Sequence, residues 1–196
     1  MSPRPRTVDD AAIAEALGRV ITRHGPAGLT LAAIAREAGL SPATLVQRFG
    51  SKRNLLVKLS GGAGDIAPLV KELRAAGRPP LDIVREVLLC YADMAPTPTA
   101  MIHSFSAYLE IDLADATLRR LLVESGRRNE TEMASLLEEA ADQGALVCPD
   151  PRGLARVLFA LVAGSLLSWA TFREGKSRDW LARDLLVVLA LTGRSE

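Results

Sequence analysis

Apolar residues recur at intervals of three and four along most of the chain, which is the spacing that lines one face of an α-helix. The first segment with this pattern carries on one face Ile13, Leu17, Val20, Ile21 and His24. Thr7, followed by Asp10, is predicted to cap this helix, and Gly25-Pro26 is predicted to end it. No long run of alternating apolar and polar residues indicates a strand. The pattern predicts an all-α protein.

Three short helices are predicted next, each preceded by a hydroxyl residue that can accept a hydrogen bond from the first turn. These caps are Thr30, Ser41 and Ser51. Gly39 can adopt the left-handed conformation that ends the first of the three, and Pro42 occupies the favoured first position of the second. A short helix, a tight turn and a second short helix in this order predict a helix-turn-helix.

Prolines and glycines divide the remainder of the chain into longer helical segments. Their approximate bounds are 81–95, 99–109, 114–143, 152–172 and 178–191. The prediction is therefore about nine helices in total. Gly61, Gly62 and Gly64, with Pro68 soon after, interrupt this pattern, and they fit either a simple break between two helices or a functional hinge.

Composition agrees with a helical protein, because 48% of residues are hydrophobic and only 4% are aromatic. The cysteine spacing given below fits a reducing cytoplasm. The longest uncharged run, 157–172, is shorter than the ~18 to 20 residues of a membrane span, so no membrane partner is expected. Cys90 and Cys148 lack CxxC spacing, and His24 and His103 lie far apart. Neither a disulfide framework nor a metal site is indicated, and no cofactor is expected.

Charge is distributed unevenly, although the formal net charge is only +1. Residues 1–58 contain nine Lys and Arg against four Asp and Glu, a net charge of +5. The remainder contains fifteen against nineteen, a net charge of −4. A basic N-terminal segment on an acidic body is typical of a protein that binds nucleic-acid phosphates.

The helix that begins at Pro42 has a predicted inner and outer side. Successive residues of an α-helix are about 100° apart, which places Leu45 and Phe49 on the buried side. The residues predicted to point outward are Ala43 and Gln47, flanked by Thr44 and Val46. In a helix-turn-helix, this outer side faces the major groove of DNA.

Residues 28–56, GLTLAAIAREAGLSPATLVQRFGSKRNLL, resemble the TetR family of transcription regulators. The threonine cap, AREAGLS at the turn, TL followed by two polar positions and Phe49, and then SK with two leucines carry this resemblance. The rest of the chain fits the family in length and helix count. The resemblance implies a three-helix helix-turn-helix DNA-binding domain over 1–58 and a helical ligand-binding and dimerisation domain over 59–196.

The resemblance also implies which residues contact DNA. Thr30 and Ser41 would place hydroxyls and helix N-termini against phosphates, and Lys52 would place a positive charge on the backbone. Those implied to approach base edges are Pro42, Ala43, Thr44 and Gln47, where Gln47 suits adenine and the Thr44 methyl suits a thymine methyl. Arg48 fits a phosphate or guanine contact and equally a solvated surface charge. Val46 stands where the family usually has an aromatic residue, most often Tyr.

The last two predicted helices are strongly apolar and need to be covered. The helix 152–172 is apolar nearly all round, and the last helix adds Trp180, Leu181, Leu185, Val188 and Leu189. The resemblance implies that both helices meet their symmetry mates in a four-helix bundle, giving a homodimer on a palindromic DNA site. The alternative is that they complete a monomer core.

The family's ligand tunnel lies among the middle helices, and its candidate lining is rich in Met and aromatic side chains, which make adaptable apolar walls. The candidates are Tyr91, Met94, Met101, His103, Phe105, Tyr108, Met133 and Trp169. Each of them fits an ordinary core position equally well.

The expected function is that of a cytoplasmic repressor that leaves a palindromic operator when a small apolar ligand binds. An all-α enzyme and a ligand-independent architectural DNA binder are the alternatives. No Ser/His/Asp, Cys/His, paired-carboxylate or metal spacing supports the enzyme.

Overall fold

The computed structural model of the protein describes residues 8–60 and 64–191, and these residues contain α-helices but no strand. They form ten α-helices and one π-helical turn. The elements are α1 (Asp10–His24), α2 (Leu31–Glu37), α3 (Pro42–Phe49), α4 (Lys52–Leu59), α5 (Ala67–Ala75), α6 (Pro80–Asp93), α7 (Pro98–Ala107), the π-helical turn (Tyr108–Asp112), α8 (Ala116–Asp142), α9 (Pro151–Phe172) and α10 (Ser177–Leu191). The predicted all-α fold is confirmed.

The chain divides into two compact units. The headpiece unit comprises Met1–Ala63 and Ile102–Leu122, and the body unit comprises Gly64–Met101 and Val123–Glu196. Residues 102–122, which the sequence placed in the C-terminal domain, thus pack with the N-terminal helices. The functional division into 1–58 and 59–196 stays a prediction.

Two details of the helix pattern differ from the prediction. The described residues hold ten α-helices rather than nine, because Pro68 lies in the first turn of α5, where proline needs no hydrogen-bond partner. Asp9 caps α1 by accepting a hydrogen bond from the Ala12 amide at 2.8 Å, which replaces the predicted cap by Thr7. Thr7 itself lies outside the described residues, as do Gly61 and Gly62 of the predicted break.

Three helices of the headpiece unit begin at the caps that the sequence predicted. Thr30, Ser41 and Ser51 each accept a hydrogen bond at 3.1 Å from the amide three residues later. Gly39 has a φ of +69° at the turn, as expected of a left-handed residue. The core of this unit consists of Ile13, Val20, Leu29, Ile34, Ala35, Leu45, Phe49, Leu55, Leu56 and Leu118. The helix-turn-helix is therefore packed against α1, α4 and the start of α8.

The body unit has a larger core built from α5, α6, α8, α9 and α10. Its fully buried side chains include Ile83, Leu88, Met133, Leu136, Leu137 and Leu158. Arg178 at the start of α10 makes a bidentate ion pair with Glu86 and a second ion pair with Asp93, both on α6. These contacts fix α10 against α6.

The helix α9 is long and apolar enough to cross a membrane by length and composition alone. In its most apolar 18-residue window the mean hydropathy is 1.6, but 44% of that window is buried inside the chain. Leu158, Val162 and Leu166 of α9 belong to the core of the body unit. Because a buried core helix and a membrane-spanning helix can have the same composition, composition alone does not assign α9 to a membrane.

Candidate nucleic-acid interface

The outer side of α3 is open to solvent. Leu45 is fully buried and Phe49 is 6% exposed, whereas Ala43, Thr44 and Gln47 are exposed. Val46 is 49% exposed, which is high for a branched apolar side chain. The predicted inner and outer sides of α3 are thus confirmed as a matter of burial, and DNA contact by the outer side stays a prediction.

Ser41 and Thr44 at the start of α3 are tied to each other. Their hydroxyl oxygens lie 2.8 Å apart, and the Thr44 amide also donates to the Ser41 oxygen at 3.1 Å. The cap therefore orients the Thr44 hydroxyl toward the first turn of its own helix.

Arg48 at the end of α3 is held by the start of α1. It donates to the Val8 carbonyl at 2.6 Å, and its other terminal nitrogen lies 2.6 Å from the Asp10 carboxylate. Its guanidinium also lies over the Phe49 ring, 5.5 Å from the centroid, and Lys58 approaches the same ring at 5.2 Å. A second ion pair of 3.3 Å joins Lys58 to Asp10. Arg48 is therefore engaged within the headpiece unit rather than extended into solvent.

The residues predicted to hold phosphates are exposed. Thr30 and Ser41 are both N-caps, so each sits beside unpaired backbone amides at the start of a helix. Lys52 begins α4 and donates to the Leu29 carbonyl at 3.1 Å. This bond holds the ammonium group close to the start of α2, where Thr30 also lies. Two helix starts and one lysine of the headpiece unit are therefore exposed and suited to bind phosphates.

Arg53 of α4 forms the best-defined ion pair of the headpiece unit. It donates to both carboxylate oxygens of Asp115, at 2.6 and 3.1 Å, and to the Thr117 hydroxyl at 3.0 Å. The guanidinium holds the pKa of Asp115 below its usual range, and the carboxylate raises the pKa of Arg53. This contact fixes α4 to the segment before α8, and nothing in the sequence pattern signalled it, because the two residues are 62 positions apart.

Three ligand candidates lie in the headpiece unit. The Nδ1 atom of His103 is 3.0 Å from the Thr22 carbonyl, and its ring lies under Gly25 at the end of α1. Phe105 and Tyr108 are neighbours with ring centroids 6.2 Å apart, and Tyr108 is exposed. His103 therefore serves the packing of α1 in this structure, and its ligand contact stays a prediction.

The other five candidates belong to the body unit and differ in burial. Met133, Trp169 and Met101 lie in its core, and the Trp169 indole donates to the Gly175 carbonyl at 3.2 Å. Tyr91 is partly buried and packs edge-on against Phe159 with ring centroids 6.2 Å apart. Burial raises the pKa of Tyr91 to about 12. Met94 is 63% exposed. The structure thus brings four of the five into one core and leaves Met94 at its surface.

The apolar residues predicted on α10 face their own core. Leu181, Leu185 and Leu189 are buried in the body unit, and Trp180 and Val188 pack against them. The apolar side chains of α9 and α10 that remain exposed are Val157, Leu167, Phe172, Leu186, Val187 and Leu191. On α10 these exposed residues are thus not the ones that the sequence pattern singled out.

Asn129 is a structural residue that sequence analysis missed. It is 8% exposed, accepts from the Ile66 amide at 3.3 Å and donates to the Gly64 carbonyl at 2.7 Å. It thereby bonds the backbone just before α5, while Asp65 accepts from the Ala67 amide in the first turn at 3.0 Å. The available signal was a polar residue on the apolar face that Met133, Leu136 and Ala140 continue. Across residues 8–60 and 64–191, no three His, Cys, Asp or Glu side chains group in a way that could hold a metal ion.

Residues 12–59, which run from the first turn of α1 to the end of α4, match the sequence profile of the bacterial regulatory proteins of the tetR family. The chain is also 31% identical over 133 residues to the HTH-type transcriptional regulator BetI of Agrobacterium fabrum. That alignment covers 64% of this chain and 62% of BetI, so it spans less than two thirds of the relative's length.

Two solved structures share the fold over nearly the whole chain. A Rhodococcus sp. protein assigned to the TetR family of transcriptional regulators superposes with a TM-score of 0.67 at 22% identity, covering 92% of this chain and 97% of the other. The transcriptional regulator FadR from Bacillus subtilis, solved in complex with stearoyl-CoA, gives a TM-score of 0.61 at 16% identity. That match covers 95% of this chain and 100% of FadR. At these identities the likeness is one of fold.

Proposed function

We propose that this chain is a member of the TetR family of bacterial regulatory proteins, and that it is a cytoplasmic homodimeric repressor that binds a palindromic operator. In this proposal α3 enters the major groove, and a small apolar ligand bound to the body releases the protein from DNA. The family is one of DNA-binding transcription regulators, not of enzymes. Operator, dimer and ligand are the parts that need a test.

The observation that carries DNA binding is the outer side of α3. Ala43, Thr44 and Gln47 are exposed while Leu45 and Phe49 hold the helix to its own core. Thr30, Ser41 and Lys52 add exposed hydroxyls, helix starts and a positive charge, which are the groups that bind phosphates. Pro42 and Val46 complete the surface that would face the groove.

The exposed apolar face of α9 and α10 supports a homodimer. Leu186 and Val187 are 65% and 60% exposed, and Val157 of α9 is half exposed. Apolar side chains this open are commonly covered by a partner. A second copy that presents the same face would form a four-helix bundle around a two-fold axis, and a two-fold dimer reads a palindromic site.

The body unit supports an apolar ligand through Tyr91, Met101, Met133 and Trp169, which all belong to or pack against its apolar core. Met94 in the body unit, and His103, Phe105 and Tyr108 in the headpiece unit, remain candidate ligand contacts. The structurally similar FadR binds stearoyl-CoA, a molecule with a long apolar chain, which supports an apolar ligand class. Stearoyl-CoA and stearate are therefore the first probes.

The central experiment enriches random duplexes on the purified full-length chain and measures binding of the recovered consensus against salt. A palindromic consensus, bound with an affinity that falls steeply with salt, is the expected result. Binding without sequence preference would favour an architectural DNA binder and contradict the proposal. The probes are then added to the complex, and release of the duplex together with a raised melting temperature would support ligand control.

The dimer is tested by Leu186→Glu, with Val147→Glu as the control because Val147 is 48% exposed on the loop between α8 and α9 and belongs to neither of the last two helices. Sedimentation of the wild type and of the control should give a dimer, and Leu186→Glu should give a monomer with weakened palindrome binding. A Leu186→Glu protein that remains dimeric would exclude this face as the interface.

A further inference from the structure

The exposed side of α3 offers few polar groups that are free to bind a base. The Thr44 hydroxyl is joined to the Ser41 hydroxyl at 2.8 Å, so this bond uses one of their two donor protons. Arg48 is joined to the Val8 carbonyl and to Asp10, both at 2.6 Å. Gln47 is the polar side chain of α3 that makes no hydrogen bond or ion pair within the described residues.

The same side of α3 offers several apolar groups. Val46 is 49% exposed and contributes two methyl groups, and Ala43 contributes one. The Thr44 methyl is the part of that side chain that the Ser41 bond leaves unengaged. This side of α3 therefore offers the bases more methyl groups than free hydrogen-bonding groups.

In the major groove, thymine is the base that presents an apolar group, the C5 methyl, whereas guanine and adenine present hydrogen-bonding atoms. We propose that α3 recognises its operator chiefly through thymine methyl groups packed against Ala43, Thr44 and Val46. In this arrangement Gln47 supplies one hydrogen-bonded contact, and Arg48 fixes the start of α1 instead of binding guanine. The inference rests on the proposed DNA-binding function and specifies its chemistry.

The test compares thymine with deoxyuridine, which differs by the C5 methyl alone. In the enriched consensus duplex, thymines of the half-sites are replaced by deoxyuridine, one symmetric pair at a time. Each thymine methyl group covered by α3 should raise the affinity for the duplex about four-fold, which corresponds to ~0.8 kcal/mol for one buried carbon group. A symmetric pair should therefore weaken binding about 15-fold, and thymines outside the half-sites should give no change.

A protein variant identifies the side chain involved. Val46→Ala removes two methyl groups, so the penalty for deoxyuridine at the position that Val46 covers should fall below about two-fold. Val147→Ala is the matched control, because it makes the same change at a similarly exposed site on a body loop. That control should keep the full penalty, and the coupling between base and side chain excludes a general loss of fold.

Three results would overturn the inference while leaving the proposed function intact. They are equal affinity for thymine and deoxyuridine duplexes, a consensus without thymine in the half-sites, and a guanine preference that disappears in Arg48→Gln. If the wild type prefers no duplex sequence at all, the proposed function itself fails, and the inference fails with it.

Discussion

Replacing Asn129 by alanine tests whether one buried side chain on α8 holds the start of α5. Its amide group donates to the Gly64 carbonyl at 2.7 Å and its oxygen accepts from the Ile66 amide at 3.3 Å. Asp65 accepts from the Ala67 amide at 3.0 Å, but the Ile66 amide and the Gly64 carbonyl bond to Asn129, which lies 63 residues from Ile66. The change leaves both backbone groups without their partner.

The two lost bonds are not equal. Ile66 is 4% exposed, so its amide stays buried and unpaired after the change, at a cost of about 1 kcal/mol because a 3.3 Å bond is long. Gly64 is exposed, so water can replace the donor, and this loss is about 1 kcal/mol. Alanine is favoured over asparagine inside a helix by roughly 0.5 kcal/mol. The expected net loss is about 1.5 kcal/mol.

The free energy of unfolding is measured for the full chain in urea, and hydrogen exchange is measured for the α5 segment. In thermal unfolding, a loss of about 1.5 kcal/mol lowers the melting temperature by roughly 3 to 6 °C for a chain of this size. Exchange of the Ile66 amide should accelerate more than exchange in α1, because the lost bond is local to α5.

Asn54→Ala is the control, since Asn54 is an exposed asparagine in the first turn of α4. Its effect should stay within about 0.5 kcal/mol, as for most surface changes. The reasoning is refuted if Asn129→Ala is as stable as this control, or if the Ile66 amide keeps its wild-type protection.

Three further predictions follow from burial and charge. Leu45→Ala, at a fully buried position of α3, should lower the free energy of unfolding by about 2 to 5 kcal/mol and abolish operator binding. An unfolding curve identical to that of the wild type would contradict this packing. Arg53 lowers the pKa of Asp115, so this pair stabilises the fold above the ordinary carboxyl pKa and the contribution is lost as the pH falls below about 4. Unfolding measured against pH should show a smaller acid loss in Asp115→Asn, and an identical profile would refute the assignment. Burial raises the pKa of Tyr91 to about 12. Burial of the neutral phenol therefore contributes to the free energy of unfolding below about pH 10, and this contribution is lost as the pH rises toward 12. In Tyr108→Phe, tyrosinate absorbance should therefore appear near pH 12, and ionisation near 10 would show that Tyr91 is solvated.

Features set by neighbouring residues could be predicted from the sequence. Thr30, Ser41 and Ser51 cap their helices as expected, because a capping bond joins residues three positions apart. The burial of Leu45 and Phe49 followed from helical periodicity. The residues over which the headpiece resembles the TetR family are also those whose helix caps and burial follow from local sequence.

Features set by distant residues could not be predicted in this way. The Arg53 pair with Asp115 and the bonds of Asn129 to the backbone just before α5 each join positions more than 60 residues apart. The helix α5 was missed because Pro68 was interpreted as a breaker, whereas proline is well tolerated in a first turn. Residue type also failed to separate the body's core from its surface, since Met133 is fully buried and Met94 is 63% exposed.

The basic charge of the N-terminal segment illustrates how tertiary contacts change the meaning of composition. Five of its cations form ion pairs inside the headpiece unit: Arg19 and Arg23 with Glu37, Arg48 and Lys58 with Asp10, and Arg53 with Asp115. In the described part of this segment, Arg36 and Lys52 are the cations without a recorded ion pair. The net charge of +5 already counts Asp10 and Glu37, whereas Asp115 lies outside residues 1–58, so its ion pair with Arg53 lowers the net charge of this part of the headpiece from +5 to +4. Most cations of this segment therefore stabilise the arrangement of α1, α2, α3 and α4, which agrees with the proposal that methyl groups of α3 discriminate between bases.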